Sequence, residues 1–182
     1  MAGAVLCVLA GCSSSGTSTD GATGNDAVGI GMCGAGTPAG QECNAVTSTG
    51  APVTPTCVSG ASPTGQGGTI ADGTYVLTAQ TYYNRSTCPT IALSETVVFS
   101  GGCLELATGT PFPATASGTF TVSGANLMLT QTCVHIDVDG ATTTSNAAMN
   151  TFTATPTTFT LFSHNSPDGG TPSDTMTVFT KQ

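Results

Sequence analysis

Residues 118–133, GTFTVSGANLMLTQTC, carry the most regular pattern in the chain. Phe120 and Val122 alternate with Thr119 and Thr121, and Leu127 and Leu129 alternate with Met128 and Thr130. Between them stand Ser123, Gly124, Ala125 and Asn126, a group that tolerates positive φ. An apolar period of two on both sides of such a group is a β-hairpin. The stretch therefore points to an all-β chain.

The segments on either side repeat the pattern in weaker form. Strands are expected over 74–82, with Tyr75, Leu77 and Ala79 on one face, then over 94–99, and over 103–107 after the Gly101-Gly102 turn. After the hairpin, 133–138 continues its second arm or forms a strand of its own. Asp139-Gly140 offers a turn, and 149–154, 157–163 and 174–181 complete the series. This makes about eight antiparallel strands in a meander. Eight is the number at which a closed barrel has an interior that side chains just fill, or that holds one small ligand. Closure also removes open edges, which a chain with few charges is poorly equipped to guard. The expected fold is a closed or nearly closed β-barrel over 68–182, with an open β-sandwich as the alternative.

Composition fits one core. The chain has 182 residues, room for one domain and a tail. Only 7% of them are charged, and Arg85 and Lys181 are the sole cations against ten carboxylates, for a net charge of −8. Phosphate neutralisation needs several Lys or Arg on one face, so nucleic acid is not an expected partner. Roughly a fifth of the chain is threonine, against a few per cent for an average residue type. Its β-branch favours strands, and its hydroxyl wets a surface that charge does not.

The N-terminal third is organised differently. Residues 1–12, MAGAVLCVLAGC, form an apolar run too short to span a bilayer, which takes ~20 apolar residues, and end in small residues. Leu9-Ala10-Gly11-Cys12, followed by Ser13-Ser14-Ser15-Gly16, resembles the lipobox of bacterial lipoproteins. That resemblance implies a signal peptide over 1–11, cleavage before Cys12 and lipidation of Cys12. It places the protein in the bacterial cell envelope, most naturally at the outer membrane, facing the periplasm or the surface. More than one acyl chain, at ~0.8 kcal/mol per buried CH₂, gives durable anchoring. Residues 12–31 are Ser, Thr, Gly, Ala and Asp without period, a lipidated disordered tether spanning on the order of 25 Å. Gly29-Ile30-Gly31-Met32-Cys33-Gly34 has the spacing of a dinucleotide-binding turn, but no strand precedes it and no helix follows, so it is read as chance.

Residues 32–67 form a cysteine-containing loop region with Pro38, Pro52 and Pro55. Export favours disulfides. With Cys7 in the signal and Cys12 lipidated, the disulfide candidates are Cys33, Cys43, Cys57, Cys88, Cys103 and Cys133. Six cysteines allow fifteen pairings. The preferred one clips Cys33 to Cys43 and leaves two bridges among the other four to fasten the loop region to the sheet.

No catalytic constellation stands out, and no cofactor is expected. His135, Asp137 and Asp139 alternate along one strand face as a weak metal candidate, although the Asp139-Gly140 turn explains the same polar alternation without a metal. His164 lies in a run of Asn, Ser, Pro and Gly and is read as an exposed loop residue. No serine sits in G-x-S-x-G, and no C-x-x-C is present. Glu95 and Glu105 are read as solvent-facing strand positions rather than a glycosidase pair. Tyr82-Tyr83-Asn84-Arg85 ends the first strand and caps a loop, or lines a barrel mouth.

GTYVLT at 73–78, the hairpin at 118–130 and MTVFTKQ at 176–182 are similar to lipocalin-like small barrels and to secreted lipoproteins of Gram-negative bacteria. Here Gly73-Thr74-Tyr75 carries tyrosine where lipocalins carry the tryptophan of G-x-W. The expectation is a monomeric, non-enzymatic, membrane-anchored lipoprotein with a structural or interaction role toward an envelope protein. The alternative is a lipocalin-like binding module for a small apolar ligand.

Overall fold

The structure is a computed structural model that describes residues 33, 42–85, 87–136, 141–143, 146–165 and 173–182. The signal peptide, Cys12 and the tether lie outside the described residues. The described residues form ten strands: β1 (Thr56–Val58), β2 (Gly73–Tyr83), β3 (Glu95–Ser100), β4 (Cys103–Thr108), β5 (Ala114–Ser123), β6 (Asn126–Ile136), β7 (Ala141–Thr143), β8 (Asn146–Ala154), β9 (Thr158–Asn165) and β10 (Ser173–Lys181). The strand order β2-β10-β9-β8-β6-β5-β4-β3 returns to β2, with every pairing antiparallel. This is a closed eight-stranded up-and-down barrel. The short β7 lies off β6, and β1 adds to the end of β2 in parallel.

The hairpin at 118–133 lies inside the longer pair β5–β6, which begins at Ala114↔Ile136. Gly124 takes φ 61° at the first central position, as a type II′ turn requires. At Gly101-Gly102 both residues have positive φ, 56° and 85°, the pattern of a type I′ turn. These tight turns match the right-handed twist of their strands and close one end of the barrel.

Two register shifts decide which side chains face inward. Between Phe179↔Leu77 and Val178↔Ala79, β2 carries one extra residue, Thr78. Between Ser117↔Cys133 and Gly118↔Gln131, β6 carries the extra residue Thr132. Tyr75 and Leu77 are therefore inward, as the alternation predicts, but Ala79 is not. The bulge passes the inward role to Gln80 and Tyr82, opposite Thr177 and Thr175. In β6 the same device turns Val134 and Ile136 inward and leaves Cys133 and His135 on the outer face.

The turn end of the barrel is filled. Phe99 makes edge contacts with Tyr75, Phe120 and Phe159 at centroid distances of 5.6, 5.1 and 5.0 Å. Leu77, Val97, Leu104, Leu127, Leu129, Phe152, Leu161 and Phe179 complete this core.

Residues 42–58 lie as a strap over the outer face. Asn44 Nδ2 donates to Ala116 O and Ser117 Oγ at 2.7 and 3.0 Å, and Cys43 N donates to Thr115 Oγ1 at 3.0 Å. Three disulfides hold the arrangement: Cys33–Cys103, Cys43–Cys133 and Cys57–Cys88. The expected Cys33–Cys43 clip is not formed. Both cysteines instead reach barrel strands, because Cys103 of β4 and Cys133 of β6 point outward beneath the strap.

The separations of 70 and 90 residues make the first two bridges long-loop closures. Each is worth about 4 kcal/mol in the chain-entropy account. Replacing both Cys43 and Cys133 with alanine should lower unfolding stability by about that amount in a denaturant titration. Gly118 has no room for a side chain, since an added Cβ would lie 2.3 Å from Thr130 O across the bulge. Gly118→Ala should cost about 2 kcal/mol or more, measured in the same titration.

Candidate functional site

The other half of the interior is polar. Following the inward parity of each strand away from the turn end leads to Gln80 and Tyr82 on β2, Glu95 on β3 and Thr108 on β4. It leads likewise to Gln131 on β6, Asn150 on β8, Ser163 on β9, and Thr175 and Thr177 on β10. All except Tyr82 are buried. One half of a single barrel is thus lined with rings and aliphatic chains, and the other mixes amides, hydroxyls and one carboxyl with the aliphatic Ala116, Val134 and Ile136.

Glu95 overturns its sequence reading. It is only 4% exposed, and it shares a face of β3 with Val97 and Phe99. The outward positions are Ser94 and Thr96, whose hydroxyls meet the strap. Ser94 Oγ lies 3.0 Å from Ser48 Oγ, and Thr96 Oγ1 accepts from Thr49 N at 3.0 Å. Covering the outer face with hydroxyl-bearing chain lets β3 put its small polar residues outside and its acid inside. Glu105 is half-buried on the outer face of β4.

The polar lining is only partly satisfied by the protein. Thr108 Oγ1 donates to Phe112 O at 2.6 Å. By contrast, Gln80 Oε1 and Nε2, Glu95 Oε1, Thr175 Oγ1 and Thr177 Oγ1 are buried without a hydrogen-bond partner among the described residues. An unmet buried polar group costs about 1–3 kcal/mol, so five such atoms in one region need a reason. Burial alone pushes the Glu95 carboxyl up from 4.5 to about 8. Tyr82 is raised as well, first by burial, with Arg85 lowering it and Glu95 raising it. That coupling places Tyr82 within electrostatic reach of Glu95. The Arg85 guanidinium stands over the Tyr82 ring, 4.9 Å from its centroid, so the Tyr82–Arg85 segment borders the polar end as well as ending β2.

Other sequence candidates are placed apart. His135 is buried on the outer face of β6, opposite Thr115 and under the strap. Asp137 and Asp139 lie outside the described residues, and among the described residues no three His, Cys, Asp or Glu side chains gather as metal ligands. His164 is a strand residue, not a loop residue: it sits on β9 directly across from Asp174 of β10, and its Nδ1 bonds Asp174 Oδ1. The pair borders an outer groove of about 170 Å³ with Ser62, Thr64, Thr151 and Phe162. Ser62 Oγ donates to Pro63 O, so it is not directed at the imidazole as a nucleophile is. The carboxylate fixes the histidine, as an exposed cross-strand pair does.

No rule of periodicity finds Gln80 or Tyr82, because the Thr78 bulge changes the parity. Asn150, Ser163, Thr175 and Thr177 follow from simple alternation with Phe152, Leu161 and Phe179.

The raised Glu95 carboxyl has a sign for stability. The folded chain keeps a proton that the unfolded chain releases near pH 4.5, so its stability is intact below that pH and falls as pH rises toward about 8. Glu95→Gln should flatten this slope, leaving the variant more stable than the wild type at pH 8 by on the order of 4 kcal/mol. Urea titrations from pH 4 to 9 measure it. Compared with protein-family models, curated proteins and solved structures, the chain matches none.

Proposed function

We propose that the protein is a non-enzymatic lipoprotein of the bacterial cell envelope, anchored through Cys12 and presenting its barrel on a flexible tether for a structural or interaction role. The observation that carries the reading is the disulfide set. All six cysteines beyond Cys12 are paired, and two of the three bridges end on barrel strands. Such bonds persist in an oxidising compartment outside the cytosol, where a lipobox would deliver the chain. The lipobox then accounts for Cys12, the one cysteine beyond the signal that these bridges leave over. An outer-membrane location, facing the periplasm or the surface, follows the same reading.

A second reading, a small-molecule binding module, is favoured by the partly unsatisfied polar half of the interior. It differs from the apolar ligand implied by the lipocalin-like resemblance. The apolar half is already packed by Phe99, Phe159 and their neighbours, which leaves the polar half for an occupant.

Growing cells fed a clickable fatty acid should label the wild-type protein and fail to label Cys12→Ala. An unlabelled wild type would remove the anchor from this reading.

A further inference from the structure

We propose that the polar half of the barrel is a binding site for a small organic ammonium ion, with Glu95 as its counter-charge and Gln80, Thr175 and Thr177 as its hydrogen-bond partners. This rests on the barrel alone and not on the lipid anchor.

The four residues form one neighbourhood. Gln80 faces Thr177 and Tyr82 faces Thr175 across the β2–β10 ladder, so the amide and the two hydroxyls lie on adjacent rungs. Glu95 precedes Thr96, which pairs with Val76 at the end of the β2–β3 ladder, so the inward carboxyl lies toward the same end. Gln80, Thr175 and Thr177 are 2%, 1% and 1% exposed, and Glu95 is 4% exposed. All four hold side-chain atoms with no partner among the described residues. Packing errors leave isolated orphans, whereas a concentration of them on facing strands is the lining of a site whose ligand supplies the missing bonds.

The chemistry of that ligand follows from charge. Among the described residues Glu95 is the only carboxylate facing the interior, and the protein offers it no cation. Arg85 is exposed and stacked on the Tyr82 ring. Lys181 stands at the opposite end, 5.9 Å from the centroid of the Tyr75 ring. A buried carboxyl either keeps its proton or takes a cationic partner, and with no such cation inside the barrel a charged Glu95 would take its complement from outside the chain. A primary ammonium group brings one positive charge and three donors. Glu95, Gln80 Oε1 and the threonine hydroxyls provide acceptors for them, while Gln80 Nε2 is left to bond a polar substituent on the ligand. An anion would face Glu95 unfavourably, and an apolar molecule would leave every orphan unmet.

One of the two shortest ladders of the barrel wall lies here. The β2–β3 ladder holds only Gly73–Val76 against Thr96–Phe99. Beyond it β2 takes β1 as its neighbour, and the chain ahead of β3 is bonded to the strap through Val53 and Leu93. Gln80 and Glu95 both sit beside this seam, where the strap takes over from the β2–β3 ladder.

Binding at neutral pH is a balanced exchange. The ammonium ion enters with its charge, and the Glu95 carboxyl releases its proton to the buffer. Tyr82 is the other titratable group lining this end, and burial raises its hydroxyl above the ordinary tyrosine range, so it stays neutral near pH 7.

The test is calorimetric titration of the purified full-length chain with methylammonium, 2-aminoethanol and choline, with 1,2-ethanediol as the neutral counterpart of 2-aminoethanol. The expected result is saturable binding of at least one ammonium compound, with a heat that varies with buffer ionisation as a released proton demands. The diol should bind roughly tenfold more weakly or not at all. Glu95→Gln, which keeps the side chain's shape, should weaken the ammonium by roughly tenfold or more. A thermal melt at or above that of the wild type shows the variant folded, and Gln80→Leu provides an independent loss should Glu95→Gln misfold. Failure of all three ammonium compounds to saturate by about 10 mM, equal binding of the diol, or unchanged affinity in folded Glu95→Gln would each overturn the proposal. Ordered water as the sole occupant in a crystal soaked with the three compounds would overturn it too. None of these outcomes bears on Cys12 labelling, so the failure of one reading leaves the other standing.

Discussion

The ladder between β2 and β10 is the constraint on which the rest of the barrel depends. It joins the first and last barrel strands over eight residue pairs, from Asp174↔Tyr83 to Lys181↔Tyr75. Every other neighbour in the barrel is also a neighbour in sequence, apart from the short β7, and is brought together by a connecting loop. The β2–β10 pair must bridge almost the whole described chain, and its closure entropy is the largest in the fold. What it secures is the removal of both open edges. In a protein with 7% charged residues, edge strands would have few lysines or glutamates to deter pairing with another chain.

Closure fixes an inside, and the two bulges determine what lines it. Were Thr78 in regular register instead of bulged, Ala79 and Thr81 would continue the inward series of Tyr75 and Leu77, while Gln80 and Tyr82 would face out. Were Thr132 likewise in regular register, Cys133 would point into the lumen and could not reach Cys43. One bulge therefore creates the polar lining on β2, and the other creates the attachment point for the strap. Gly118, opposite the second bulge, is the residue that lets the β5 and β6 backbones approach there.

How far the sequence revealed this follows from the same residues. The eight barrel strands were legible because each has local alternation or a turn beside it, as in Leu104-Glu105-Leu106 and Gly101-Gly102. β1 and β7, three residues each, carry too little pattern to register and take their form from neighbours. The cysteine pairing was illegible because it depends on which residues face outward beneath the strap, and in β6 that depends on a bulge. Glu95 was misread because alternation identifies a face but not what covers it. In an uncovered barrel the acid beside Ser94 and Thr96 would be the outer one. Of the candidate site, the threonines of β10 and Asn150 were within reach of simple parity, and Gln80 was not.

The two halves of the interior obey opposite energetic rules. In the apolar half, Phe99 and the rings around it gain by excluding water and by edge-to-face contact, and they need no further partner. In the polar half, burial works against the fold for every side-chain group it leaves unbonded. Replacing Gln80, Thr175 and Thr177 with apolar residues of similar size would relieve that cost, since the register and inward parity are set by backbone pairing and the bulge rather than by these side chains. The barrel would close equally well around leucine and valine. A polar lining that does nothing for closure, and that a better-packed barrel would lack, is accounted for by what it can hold.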